Sequence, residues 1–214
     1  MNYSAIILAA GKGSRTQLEY NKVFYTFEDG EKLLSKTVRP FLDDYECVQI
    51  IIVSTSEEIE EVKAILPDED RIQYTYGGDT RQDSVYNGLQ CIREEYVMIQ
   101  DGARCFLTTA EIERCKKALK TEKACLLMVP AIDTIKVVKD GYVVNTPVRS
   151  TLYAAQTPQC FDTNLIKDCY EKGITEGWVA SDDASLVEHF SDVKVKVVKG
   201  EYSNKKVTTL QDLK

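Results

Sequence analysis

Within the first 22 residues, two glycines, an arginine and two lysines stand close together: Gly11-Lys12-Gly13-Ser14-Arg15, then Asn21-Lys22. Small residues, Ala9 and Ala10, link this segment to the apolar run Ala5–Leu8. A strand that ends in small residues and glycines lets backbone N–H groups close on a phosphate with no side chain in the way. Arg15 supplies a planar fork for two phosphate oxygens, and Lys22 adds a compact point charge. Two familiar loop patterns do not fit. The P-loop pattern G-x-x-x-x-G-K-[ST] is absent. A dinucleotide fingerprint needs a third glycine where Thr16 stands, although Glu31 could serve as its downstream acid. The loop therefore reads as a cradle for nucleotide phosphates undergoing transfer, with an ordinary strand-to-helix turn as the plainer alternative.

Such a loop needs a frame. Short β-branched or apolar runs recur at Ala5–Leu8, Val48–Val53, Tyr96–Ile99, Ala124–Val129 and Val193–Val198. Between them, helical periodicity marks Glu57–Leu66, Ser84–Arg93, Thr109–Leu119, Asn164–Glu171 and Asp182–Phe190. Strands alternating with helices predict an α/β, Rossmann-like layer: a mostly parallel sheet with helices on both faces. Ile135–Val138, Lys139-Asp140-Gly141 and Tyr142–Val144 break the alternation and read as a β-hairpin. It holds too few apolar residues for its own core, so it should project and pack on a second subunit.

Composition removes whole classes of function. A net charge of −7 argues against a nucleic-acid surface, which needs clustered cations. No apolar run approaches the roughly 20 residues that cross a bilayer. Met1-Asn2-Tyr3-Ser4 opens no basic-then-apolar leader, so a cytoplasmic location is expected. The 7 cysteines, with no C-x-x-C among them, read as buried small hydrophobes. The single histidine, His189, removes multi-histidine metal sites and reads as an ordinary residue near a helix end.

Later segments add to the loop: Gly77-Gly78-Asp79-Thr80-Arg81-Gln82-Asp83-Ser84, Asp101-Gly102-Ala103-Arg104, Val129–Lys136, Ala155-Gln156-Thr157-Pro158-Gln159, Ser181-Asp182-Asp183-Ala184-Ser185 and Asn204-Lys205-Lys206. In that order the whole chain resembles the 2-C-methyl-D-erythritol 4-phosphate cytidylyltransferases. The resemblance implies a single nucleotidyltransferase domain over residues 1–214, with a β-arm at about 134–152 used for homodimerisation. It implies a reaction of CTP with a small alditol phosphate, releasing pyrophosphate, with Mg²⁺ held mainly through the CTP phosphates. A phosphomonoester with a second pKa near 6 is largely a dianion at pH 7, so the nucleophile needs no general base.

By the same resemblance, Arg15 and Lys22 stabilise the transition state, and Arg149 and Lys206 orient the substrate phosphate. Ala9, Ala10, Gly11, Gly13, Gly78, Asp79, Ser84, Asp101 and Gly102 would bind the nucleotide, and Ser84 reads equally as the N-cap of its helix. Arg104 and Thr134 would bind the alditol phosphate from the neighbouring subunit. Lys12 would join the cations gathered on the triphosphate. Gln100, Cys105, Thr16 and Lys205 depart from the family pattern; Cys105, replacing proline, is expected to loosen the loop carrying Arg104. Ribitol-5-phosphate cytidylyltransferase shares scaffold and reaction and is the nearest rival. A catalytically silent CTP-binding homologue is another, and the retained cations argue against it. An NAD-dependent oxidoreductase is disfavoured by the missing glycine.

Overall fold

In the computed structural model, which describes residues 1–11 and 20–213, the expected parallel frame forms from β1 (Tyr3–Leu8), β2 (Cys47–Ser54), β3 (Ile72–Tyr76) and β4 (Tyr96–Asp101). β1 pairs in parallel with β2 and β4, and β3 pairs in parallel with β2. The sheet continues through β5 (Ala124–Pro130), β8 (Tyr153–Asp162) and β9 (Lys196–Lys199) in the order β3-β2-β1-β4-β8-β5-β9. β8 runs antiparallel to both its neighbours, which makes the sheet mixed.

Successive strand side chains fall on opposite faces, and the core divides accordingly. Tyr3, Ala5 and Ile7 of β1 pack on one face with Ile50 and Ile52 of β2; Ile6, Ile51 and Val53 pack on the other. α1 (Leu33–Leu42), α2 (Ile59–Ile65) and α4 (Thr109–Leu119) cover the first face through Phe41, Val62 and Ile112. α3 (Arg81–Gln90), α5 (Thr163–Glu176) and α6 (Asp183–Phe190) cover the second through Leu89, Ile166 and Leu186. Reciprocal capping boxes set three helix starts, at Thr80 with Asp83, Thr108 with Glu111 and Asp182 with Ser185. Each such cap contributes about 1 kcal/mol.

Several expected boundaries move. The helix expected from Ser84 begins at Arg81 with Thr80 as its N-cap, so Ser84 is not the cap. The last strand spans Lys196–Lys199 rather than Val193–Val198. α1, β3 and β8 fall outside the runs expected from the sequence. Pro40 interrupts the pattern of α1, β3 alternates weakly at the sheet edge, and β8 carries glutamines and a threonine that serve polar contacts.

The hairpin is present as β6 (Val137–Lys139) and β7 (Tyr142–Asn145), outside the main sheet. Its turn places Asp140 at φ 51 and Gly141 at φ 82, the pair of positive φ values that a tight two-residue hairpin requires. Every residue of both strands is exposed, including Val137, Val138, Tyr142, Val143 and Val144.

Candidate active site

Open α/β sheets hold ligands beyond the carboxyl ends of their strands. A cleft of about 800 Å³ opens there, over the ends of β1, β3 and β4. Its wall includes Ala10 and Gly11 after β1, Gly78 and Asp79 after β3, and Asp101 and Gly102 at β4. Ser84, Lys22 and Lys206 complete the set of expected residues found there. Ala9 lies just behind. It is 1% exposed, its N–H donates to the Val53 carbonyl at 2.7 Å, and its own carbonyl accepts from Asn21. Gly13 and Arg15, like Lys12, lie outside the described residues.

Two glycines are dictated by close approach. A Cβ on Gly102 would stand 2.4 Å from the Leu8 carbonyl oxygen, where the Gly102 N–H closes the strand ends at 2.9 Å. A Cβ on Gly78 would stand 2.3 Å from that of Asp83. Gly78 instead donates its N–H to Ser84 Oγ at 3.1 Å, while the Ser84 hydroxyl donates to the Thr80 carbonyl at 2.9 Å. With its one hydrogen placed, Ser84 faces the cleft with acceptor capacity only.

Lys22 is moored by its neighbour. Asn21 caps the short turn Lys22–Phe24, accepting from Val23 N at 3.3 Å. Its amide donates to the Ala9 carbonyl at 2.8 Å and to Glu58 Oε2 at 2.9 Å. The backbone that carries the cation is thus tied to the end of β1.

The centre of the site is a charge cluster. Asp101 accepts from Lys206 Nζ at 2.7 Å and from Arg81 Nε at 3.2 Å, with Arg104 Nε at 3.9 Å. Burial opposes the carboxylate's charge, but Arg81, Lys206 and Arg104 outweigh it and hold its pKa at about 2. Arg81 has no role assigned from the sequence, where it stands ahead of the expected helix as part of the Gly77–Ser84 segment. Its signal was its place in Thr80-Arg81-Gln82-Asp83, just after the two glycines. Arg81, Asp101 and Lys206 also wall a second cavity of about 340 Å³, closed further by Arg104, Thr157 and Gln159. Two cavities therefore meet along one charged seam.

Arg104 lines the second cavity of its own chain and not the first, so the expectation that it acts from the neighbouring subunit gives way to a place beside Asp101 of the same chain. Its guanidinium donates to the Asn204 carbonyl at 2.7 Å and the Ala155 carbonyl at 3.2 Å. The loop carrying it is braced rather than loosened. Gln100, fully buried, donates to the Arg104 carbonyl at 3.0 Å and accepts from Thr157 Oγ1 at 2.9 Å. Val207 N donates to the Ala103 carbonyl at 2.8 Å. Cys105 packs with Leu33 and Val207 as an apolar residue, and burial pushes its thiol up to about 11.

Two expected residues stand apart from both cavities of this chain. Arg149 is exposed near the base of the hairpin and donates to the Ile132 carbonyl at 3.2 Å. Thr134 is exposed on the approach to β6. His189 stacks on Trp178 at 4.7 Å, away from the cleft. All 7 cysteines are free, with only Cys91 less than buried.

A hard divalent cation takes oxygen ligands. Asp101, ionised and on the cleft wall, meets that requirement for Mg²⁺ held mainly by a triphosphate. No helix among the described residues is long and apolar enough to cross a membrane.

A mixed α/β sheet with a cation-lined cleft at its carboxyl edge is a frame for phosphate ligands, and the proteins it resembles are nucleotidyltransferases. The model of the family "2-C-methyl-D-erythritol 4-phosphate cytidylyltransferase" matches residues 3–214. The enzyme of that name from Microcystis aeruginosa is 42% identical, over 97% of this chain and 94% of its own. Its counterpart from Clostridioides difficile is 39% identical, over 99% and 90%. The crystal structure of 4-diphosphocytidyl-2C-methyl-D-erythritol synthase from Anaerococcus prevotii matches with a TM-score of 0.89 and 37% identity, covering 99% of this chain and 92% of that one. The chain belongs to the 2-C-methyl-D-erythritol 4-phosphate cytidylyltransferase family.

Proposed function

We propose that this enzyme joins CTP and 2-C-methyl-D-erythritol 4-phosphate to give CDP-methylerythritol and pyrophosphate, as a step of isoprenoid synthesis in the cytoplasm. The observation that carries the reading is the pair of cavities sharing Arg81, Asp101 and Lys206. The larger accommodates CTP and the smaller the alditol phosphate, so the phosphate nucleophile meets the α-phosphorus at the seam. An oxygen of the phosphomonoester dianion forms the new P–O bond as the bond to pyrophosphate breaks. No proton needs to be removed. The protein's task is to bring anions together and to stabilise charge on the phosphoryl oxygens.

Lys22, with Arg15, takes that charge from the CTP side, and Lys206 holds the attacking phosphate. Ala9, Ala10, Gly11 and Gly13 shape the cradle, while Gly78, Asp79, Asp101 and Gly102 receive the nucleotide. Ser84, left as an acceptor, suits the exocyclic amino donor of cytosine. Bound Mg²⁺, held by Asp101 and the triphosphate, would supply Lewis-acid neutralisation of phosphate charge.

Arg149 and Thr134 reach a site only by crossing to another copy. The arm's exposed apolar residues support a homodimer clasped by residues of about 134–152, each arm completing the other subunit's second cavity along with Arg104. The test is pyrophosphate release from CTP and Mg²⁺ with either 2-C-methyl-D-erythritol 4-phosphate or ribitol 5-phosphate. Release with the former is expected. Preference for the latter reassigns the substrate, and no release with either leaves a silent homologue.

A further inference from the structure

Two helix starts that are far apart in the sequence meet at the seam. Gln82 of α3 accepts from Ala180 N at 2.9 Å and donates to the Trp178 carbonyl at 3.1 Å. Gln159 of β8 accepts from Ala184 N at 2.8 Å and donates to Asp182 at 2.9 Å. Between these braces lies Asp183, fully buried. A carboxylate in such a place is tolerated only when paired. Asp183 accepts from both Nη atoms of Arg81, at 2.9 and 2.8 Å, and from the Tyr170 hydroxyl at 2.5 Å.

Neither Tyr170 nor Asp183 lines either cavity. Their reach ends at Arg81. A guanidinium gripped through both Nη atoms is held in one orientation, and its third nitrogen, Nε, donates to Asp101 Oδ1 at 3.2 Å. Asp101 is thereby paired with and oriented by a fixed cation, independently of Lys206. A carboxylate turned in one direction at the seam is what both ligands meet.

We propose that Tyr170 and Asp183 are positioning residues of the transfer reaction: they lock Arg81, and Arg81 sets Asp101 between the two cavities. The assignment rests on the cytidylyl-transfer reading. The plainer possibility is a staple between α3, α5 and α6 with no bearing on turnover.

A double-mutant cycle separates the two, with kcat, KM for each substrate and thermal midpoint measured on the full chain with CTP and 2-C-methyl-D-erythritol 4-phosphate. Tyr170→Phe should lower kcat/KM about tenfold, the scale of one lost hydrogen bond to a charged group. Arg81→Lys should lower it about a hundredfold, because a lysine has no fork for Asp183 to hold. The double variant should be no worse than Arg81→Lys. The control is Tyr3→Phe: Tyr3 is likewise fully buried and donates to a carboxylate, Asp44, at 3.0 Å, but at the other end of β1. It should lower the thermal midpoint and leave kcat and KM within about twofold. If Tyr170→Phe is not recovered folded, Asp183→Glu, which keeps the charge and displaces it, should show the same loss and the same absence of multiplication with Arg81→Lys. Wild-type kcat/KM in Tyr170→Phe, or losses that multiply in the double variant, would overturn the assignment alone. No turnover by the wild type would overturn the transfer reading and the assignment with it.

Discussion

Two charged clusters sit at opposite ends of the parallel strands, about 20 Å apart at ~3.3 Å per residue, and they use the same parts. At the amino ends, Lys116, 4% exposed, pairs with Asp44 at 2.8 Å, with Glu46 at 2.6 Å and with Glu113. The amino-terminal ammonium also pairs with Glu46, and Tyr3 donates to Asp44. At the carboxyl ends, Arg81, Arg104 and Lys206 gather on Asp101 and Asp183, with Tyr170 behind. The first cluster sets two cations against three carboxylates; the second sets three cations against two. A depression of about 290 Å³ lies beside the first as well, but its acid surplus repels a triphosphate. The lesson is that buried charge alone does not mark a site. The sign of the surplus and the presence of cavities beside it do.

The comparison can be broken most sharply by paired substitutions. Lys22→Ala should lower kcat by at least about 10² with little change in thermal midpoint, since it removes charge stabilisation from the cleft; near-normal turnover would remove Lys22 from its role. Lys116→Met should cost about 1–3 kcal/mol of stability, because Asp44 loses its cation while Glu46 and Glu113 stay solvated. That corresponds to roughly 5 °C in the midpoint of a chain this size, with kcat unchanged. A fall in kcat comparable to that of Arg81→Lys would show the two clusters to be functionally alike.

A smaller recovery tests the composite site. Arg149→Ala and Lys22→Ala, each nearly inactive, should regain roughly a quarter of wild-type activity when mixed and allowed to exchange, as expected of a two-fold dimer with one intact site in each mixed pair. No recovery despite exchange would place Arg149 in its own chain's site.

The smallest effect is in pH. With its folded pKa near 2, Asp101 contributes stability that is complete above the unfolded carboxylate value of about 4 and is lost as pH falls towards 2. The substrate phosphate takes up its proton near pH 6. Turnover should therefore fall on the acid side around pH 6, while the thermal midpoint keeps the Asp101 contribution down to about pH 4. An acid limb near pH 4 would shift the controlling group from substrate to protein.

Much of this was legible in the sequence, and the unread parts share a cause. Alternating apolar runs announced β1, β2, β4 and β5, because strands buried on both faces are almost continuously hydrophobic. β8 escaped because its buried residues include Gln156, Thr157 and Gln159, polar side chains satisfied only by partners distant in the chain. Arg81 escaped for the same reason: its partner Asp183 is brought near only by the fold. The bracing of the Arg104 loop by Gln100 was equally invisible, since the compensating contact comes from Thr157 on another strand.

β8 carries a consequence for how two copies would communicate. It begins beside the arm with exposed Tyr153, passes Ala155 and Thr157 on the wall of the second cavity, and is buried from Gln156 to Phe161. In a dimer clasped by the arm, association and occupation of that cavity act on adjoining stretches of one continuous strand. Thermodynamic reciprocity then requires any tightening of substrate binding by association to be matched by an equal tightening of association by substrate. Dilution would be felt as weakened affinity for the alditol phosphate before it was felt as loss of fold.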